Sequence, residues 1–321
     1  MFRPGSCFEE VGEMGFGWEG KKVLVVGDVM LDVYQRGHAL RLSPEAPVPI
    51  ILNPVEEFCL GGAANIARNV MALEGRAILA ACTGEDPEGA RLRNLAEEAG
   101  IACFLFHEAG KPTTTKTRVI GLPTYQQICR IDREATTPIG EESRRHLLRL
   151  TANLAEEVDI IIISDYSKGM IFPGLVHDLS RAGKKVIVDP KGSDISLYRG
   201  AWAIIPNWAE AEELVGYAGG GSIDWVGKSL TSSSGCEWVI ITRHGAGVSA
   251  YSHEGIEHIP AQAKKVADPT GAGDTFASAF ALGVAAGMTG SDAARIANKA
   301  AGIVVGKMGT TFVELRELME D

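Results

Sequence analysis

Short apolar runs recur along the chain, and most are continuous rather than alternating: KVLVVGD from Lys22, AILAACTG from Ala77, VDIIIISD from Val158, KVIVDP from Lys185, AWAIIPN from Ala201 and EWVIITRHG from Glu237. A strand with one wet face alternates apolar and polar side chains, so an unbroken run demands cover on both faces. That is the condition of a parallel sheet sandwiched between helices. Helix-like segments lie between the runs, over 63–73, 87–99, 141–156, 172–182, 208–215, 223–232, 274–286 and 291–307. Strand and helix alternate, which predicts an α/β fold with a doubly wound, mostly parallel sheet.

Two stretches break that rhythm. Over 33–60 and 101–132 the chain offers VPIILN, CFLFHE, TTTKTRVIG and QQICRID, short segments divided by turn residues with no amphipathic helix among them. They predict a small antiparallel β-sheet lid over a site at the carboxyl ends of the parallel strands. The expected organisation is an N-terminal extension over 1–20, which matches no motif, and one domain over 21–321.

Composition removes several classes of function. With 321 residues, 45% hydrophobic and 22% charged, the chain is long and apolar enough for a large core. Its net charge of −10 argues against nucleic acid or an anionic membrane as a partner. The cysteines form no C-x-x-C pair, so neither a zinc nor a redox motif has support, and reduced thiols are expected. The opening MFRPGSCFEE lacks the basic and apolar regions of a signal peptide. The longest weakly polar run, 276–288, falls short of the ~20 residues of a membrane span. A cytoplasmic location is the expectation.

The chemistry gathers in DPTGAGDTFASAF, Asp268 to Phe280. A helix N-terminus offers unpaired N–H groups and a positive dipole end, and Gly271 and Gly273 would let the backbone approach an anion closely and take positive φ. Asp274, with an ordinary carboxylate pKa of ~3.9, would be ionised and able to accept a hydroxyl proton. Simple N-capping by Asp274 is the competing account. GSIDWVGKS from Gly221 has the wrong glycine spacing for a P-loop, and Phe276 spoils a dinucleotide fingerprint. Other strand ends carry Asp28 and Asp32, Asp165 and Lys168, Asp189 and Lys191, and Asn207 and Glu210. Gly61, Gly62 and Asn65 open a helix. Turn and cap chemistry explains any one of these, but loops after successive parallel strands share one crevice.

GGAANIA, NWAE and DPTGAGDTF, in that order, resemble the ribokinase or PfkB family of sugar kinases from about Lys21 onward. The resemblance implies ATP as phosphoryl donor, Mg2+ and, in many members, a monovalent cation such as K+. GDVMLD, RLSPEAPVPI, SDYSKG, DPKGSD, YRGA and AAGIVVGKMGT are similar to the kinase half of the bacterial heptose 7-phosphate kinase/adenylyltransferase family. That likeness implies phosphorylation of the anomeric O1 of D-glycero-D-manno-heptose 7-phosphate. No H-x-G-H signature occurs, so a stand-alone kinase is expected.

Carried over by motif, Asp274 is the general base, and the N–H groups of Gly271, Ala272, Gly273 and Asp274 form the anion hole. Asn207 and Glu210 organise Mg2+ through water. Thr242, Arg243, Gly245 and Gly247 lie along the nucleotide, with Asn298 near the adenine. Asp28, Asp32, Gly61, Gly62 and Asn65 match the sugar-hydroxyl positions. Arg41, Lys116 and Arg118 are the candidate cations for the second phosphate. Lys191 either supports the transferring phosphate or forms an internal ion pair. An exposed lid edge points to a homodimer.

Overall fold

The computed structural model describes residues 16–217, 221–262, 267–307, 309 and 311–320. Strand β1 (Lys22–Gly27) is followed after one residue by β2 (Val29–Leu42), which returns through β3 (Pro49–Gly62) directly into helix α1 (Ala63–Ala72). Next come β4 (Arg76–Thr83), α2 (Pro87–Glu98), β5 (Ala102–His107), β6 (Thr114–Leu122), β7 (Gln126–Arg133) and α3 (Glu141–Ala155). The chain continues through β8 (Ile160–Ser164), α4 (Leu175–Ser180), β9 (Lys185–Asp189), β10 (Ala203–Ile204), α5 (Trp208–Leu214) and α6 (Ile223–Ser234). It closes with β11 (Trp238–Thr242), β12 (Val248–Tyr251), β13 (Ile256–Ile259), α7 (Ala272–Ala285), α8 (Gly290–Val304) and α9 (Leu315–Glu320).

Nine strands form the main sheet in the order β13-β12-β11-β10-β9-β8-β1-β4-β5. It is parallel from β5 to β11, with β12 and β13 antiparallel at one edge. Val23 to Val26 and Ile160 to Ile163 are buried without interruption. Because successive side chains face opposite sides of a sheet, unbroken burial means both faces are covered. Strand order reverses around β1, which lies between β8 and β4, and such a switch point opens a crevice at the carboxyl ends.

The second sheet has the order β3-β2-β6-β7. Two expectations are corrected here. CFLFHE is not part of the lid: β5 pairs in parallel with β4, from Ile78 opposite Ala102 to Thr83 opposite His107, and ends the main sheet. Nor is the lid wholly antiparallel, because β2 and β6 run parallel. The cause is topological. The two lid hairpins leave the carboxyl ends of β1 and β5, which point the same way.

The helix expected over 172–182 begins only at Leu175, because Gly174 takes φ 93, a left-handed value no helix interior accommodates. Of the N-terminal extension, residues 1–15 lie outside the described residues. Trp18 is buried in the core and stacks on Phe16 with centroids 4.8 Å apart, so the packed domain begins before residue 21. Helices α1 and α7 meet along a polar seam: the Thr275 hydroxyl donates to Asn69 Oδ1 at 2.8 Å, and the Ser278 hydroxyl to the Ile66 carbonyl at 3.0 Å. No helix among the described residues is long and apolar enough to cross a membrane.

Candidate active site

The loop ahead of α7 is tied down by Asp268, whose Oδ1 accepts the Thr270 N–H at 2.9 Å and whose Oδ2 accepts the Gly309 N–H at 3.1 Å. Gly271 is the N-cap, with φ 83, and Asp274 sits at the third helical position, so the capping account of Asp274 is set aside. Gly273 has no positive φ, contrary to one expectation. A Cβ there would meet no protein atom and would enter the open space in front of the helix mouth. The Ala272 N–H is turned to the Pro269 carbonyl at 3.3 Å and the Thr275 N–H to Gly271 at 3.0 Å. Among the described residues no acceptor lies on the Gly273 or Asp274 N–H groups, which are the ones an anion would meet.

Asp274 is buried between α1 and the loop after β8. Its Oδ2 accepts from Asn65 Nδ2 at 2.7 Å and its Oδ1 from the Tyr166 hydroxyl at 2.9 Å. Burial pushes its pKa up to about 6, the two hydrogen bonds oppose that rise, and the nearby Asp32 adds to it. Asn65 thus serves the carboxylate of Asp274 through Nδ2, while its own buried Oδ1 has no partner among the described residues. Tyr166 is not legible in the sequence, because SDYSKG stands out by its charges and nothing local marks a phenol as a partner of residue 274.

Asp28 departs from its expected role. Its carboxylate accepts the backbone N–H groups of Tyr166 at 2.9 Å, Lys168 at 3.0 Å and Met170 at 3.3 Å, and so anchors the 165–170 loop. The main-chain donors of a turning loop converge there and occupy both oxygens. Gly62, at φ 58, packs against the Asp28 carbonyl, and a Cβ on Gly61 would stand 2.8 Å from Asp32 Oδ2. These glycines therefore let the lid strands close on one another.

On the other side of α7 lies a cavity of about 280 Å³. Asn207, Thr242, Gly245, Gly247, Ala272, Gly273 and Asn298 line it, joined by His244, Val248, Phe276, Ala301 and Val305, to which the motifs assign no role. Such apolar walls suit the faces of an aromatic base. Arg243 does not line it. The guanidinium turns back to the Val248 carbonyl at 3.4 Å, and its buried Nε has no partner among the described residues. Asn298 donates to the Pro260 carbonyl at 2.8 Å.

Asn207 and Glu210 form a reciprocal capping box at the start of α5, with contacts of 3.0 and 2.8 Å. The other Glu210 oxygen accepts from Lys191 at 2.7 Å, so of the two roles open to Lys191 the ion pair is present. No group of three or more His, Cys, Asp or Glu side chains among the described residues is arranged to hold a metal.

The lid cations are also engaged. Arg118 pairs with Asp32 at 2.6 Å, and Lys116 contacts Asp132 at 3.2 Å and Glu134 at 3.5 Å. Lys168, from the core loop, reaches the same Glu134 at 2.8 Å. Arg41 is exposed near the end of β2. A phosphate at Lys116 or Arg118 would have to compete with these carboxylates.

A glycine-rich helix mouth, a buried carboxylate beside it and an apolar cavity at the carboxyl edge of a parallel sheet are the parts of a phosphoryl-transfer enzyme. The family model of the pfkB family carbohydrate kinases matches residues 20–316. The chain belongs to that family, whose members are phosphotransferases acting on a sugar hydroxyl. It is similar to the bifunctional protein HldE of Citrifermentans bemidjiense, 42% identical over 308 residues that make up 94% of this chain and 63% of the relative. The chain thus spans less than two thirds of that relative's length. Among solved structures it resembles phosphofructokinase-2 from Escherichia coli in complex with potassium, with TM-score 0.77, 19% identity and coverage of 94% and 97%. It also resembles Arabidopsis thaliana ribokinase complexed with ribose and ATP, with TM-score 0.72, 19% identity and coverage of 94% and 99%. At such identity these two establish the fold alone.

Proposed function

We propose that the protein uses ATP to phosphorylate the anomeric O1 of D-glycero-β-D-manno-heptose 7-phosphate, giving the 1,7-bisphosphate used in ADP-heptose biosynthesis. The observation that carries the reading is Asp274 at the third position of α7, buried beside the open side of Gly273 and close to lid residue Asp32. The Asp274 carboxylate takes the proton of the acceptor hydroxyl. That oxygen forms its bond to the γ-phosphorus as the bond from phosphorus to the bridging oxygen of ADP breaks. Charge gathering on the transferring group meets the Gly273 and Asp274 N–H groups and the α7 dipole.

The apolar walls of the cavity and the empty space above Gly273 fit a nucleotide with its phosphates turned to α7. For Mg2+ the chain offers Glu210 and Asn207, already locked in a capping box, which fits a metal reached through water rather than one caged by protein. When bound, Mg2+ would neutralise phosphate charge. K+ dependence and a homodimer formed through the lid belong to the same reading.

The heptose assignment rests on the likeness to HldE and on the motifs of the lid and the 165–170 loop. The pairing of Lys116 and Arg118 with lid carboxylates favours keeping a second reading, another acceptor of the same family such as a fructose phosphate, a ketogluconate or a nucleoside. A non-catalytic sugar-binding protein is disfavoured by the retained Asp274 and glycines. The test is ADP release with ATP and Mg2+ across heptose 7-phosphate, sedoheptulose 7-phosphate, fructose 1- and 6-phosphate, ribose, ketogluconate and adenosine. Selective turnover of heptose 7-phosphate is expected. Preference for another acceptor would replace the substrate, and silence across the set would overturn the reading.

A further inference from the structure

A buried carboxylate that accepts a proton needs two things from its surroundings: a fixed direction, and enough polar support to stay charged where water is scarce. Asp274 draws that support from Asn65 on Oδ2 and the Tyr166 hydroxyl on Oδ1. Tyr166 lies on no helix or strand, yet its loop is strongly determined. Asp28 accepts three of its backbone N–H groups. Asp165 accepts the Ser167 N–H at 2.7 Å and the Tyr198 hydroxyl at 2.7 Å. Ser167 holds φ 55, and Gly169, at φ 88, abuts the Thr137 carbonyl with no room for a Cβ. A non-glycine residue at positive φ is strained and persists only where neighbours enforce it.

We propose that Tyr166 is a positioning residue for the reaction: its hydroxyl donates to Asp274 and keeps that carboxylate oriented and charged for the acceptor proton, while Asp28 and Asp165 hold the loop that presents it. The proposal rests on Asp274 being the base. The phenol is suited to the task because burial, reinforced by Asp274, pushes its own pKa well above the usual tyrosine value, so it stays a donor throughout the working range. The other groups facing Asp274 do not substitute for it. Asp32 on β2 opposes the charge and is itself paired with Arg118. Asp189 at the end of β9 is pushed well above the ordinary carboxylate range by burial and by Asp274 and Glu210. Asn65 supports only the second oxygen.

The experiment uses the full chain carrying Tyr166→Phe. The pH dependence of kcat/KM is measured between pH 5 and 9, alongside a carbon-13 NMR titration of the Asp274 carboxyl, assigned with Asp274→Asn. Losing a hydrogen bond to a charged group should move the acid limb and the NMR titration upward together by about one pH unit. The rate loss should then be about tenfold near pH 6 and shrink to two- to threefold by pH 9, with ATP affinity unchanged. A loss equal at every pH overturns the proposal, because packing damage alone would do that. An unmoved carboxyl titration overturns the contact itself. A carboxyl that titrates higher while the rate limb stays fixed shows instead that Asp274 is not the base, and the proposal falls with that reading. Should Tyr166→Phe fail to fold, site-specific 3,5-difluorotyrosine at position 166 keeps the shape and strengthens the donor. The limb should then move down, and a limb that stays put overturns the proposal.

Discussion

Asp274 has to be dry enough to be basic and supported well enough to be charged, and its pKa of about 6 reflects that balance. For the free enzyme the acid limb of kcat/KM is expected near pH 6, read from rates at low acceptor concentration. The same group leaves a mark on stability. Its folded pKa lies above the ordinary 3.8, so its contribution favours folding below about pH 4 and is lost as pH rises through about 6, a trend that Asp274→Asn should remove from urea melts. That variant should also lower kcat by ~100-fold or more while ATP still binds, the scale of a positioned base. Gly273→Val separates cradle from scaffold. Its Cβ meets only open space, so melting should shift little, yet the new methyl groups occupy the approach to phosphate and should raise the KM for ATP ~10-fold or more. An unchanged KM would mean that the transferring group lies elsewhere.

Helix α2 shows how one side chain can bind two elements. Asp86 caps α2 through the Gly89 N–H at 2.9 Å and also accepts the Thr113 N–H at 2.9 Å and hydroxyl at 2.6 Å, just ahead of β6. Burial would raise its pKa, but these donors hold it below the ordinary value. Its contribution is therefore present above the unfolded carboxylate value and lost as pH falls below it. Asp86→Ala should cost ~1–3 kcal/mol in urea denaturation at neutral pH, because the cap is lost and a Thr113 donor is stranded. Sequence patterning reaches this scale unevenly. Strands β1 and β8 are legible because double-sided cover is written into consecutive residues. Strand β5 is not, because at the edge of the main sheet it alternates exposed and half-buried residues just as a lid strand would. The glycines and acid of the α7 mouth are neighbours in the chain and can be read together. The partners of Asp274 are not, since Tyr166 and Asn65 lie 108 and 209 residues away and only the crossing of elements brings them in.

At the scale of the whole molecule the lid carries the most exposed apolar side chains, among them Leu40 and Val55 at 70%, Leu42 at 65% and Ile131 at 58%. A surface of this kind seeks cover. The homodimer proposed above predicts that light scattering finds two chains per particle, and that Leu42→Glu combined with Val55→Glu yields single chains with an unchanged melting profile of the main sheet. A single-chain mass for the unmodified protein would refute the dimer. The lid is also joined to the main sheet without slack: Asp28 alone separates β1 from β2, and β3 passes straight into α1. A flap on flexible linkers can lift while the body below stays still, but this lid has no such linkers at its first hairpin. Amide hydrogens near Val26 and Met30 should therefore exchange with solvent water at matched rates, as members of one cooperative unit. Transplanting the hairpin into another kinase would then require moving the central strand along with it.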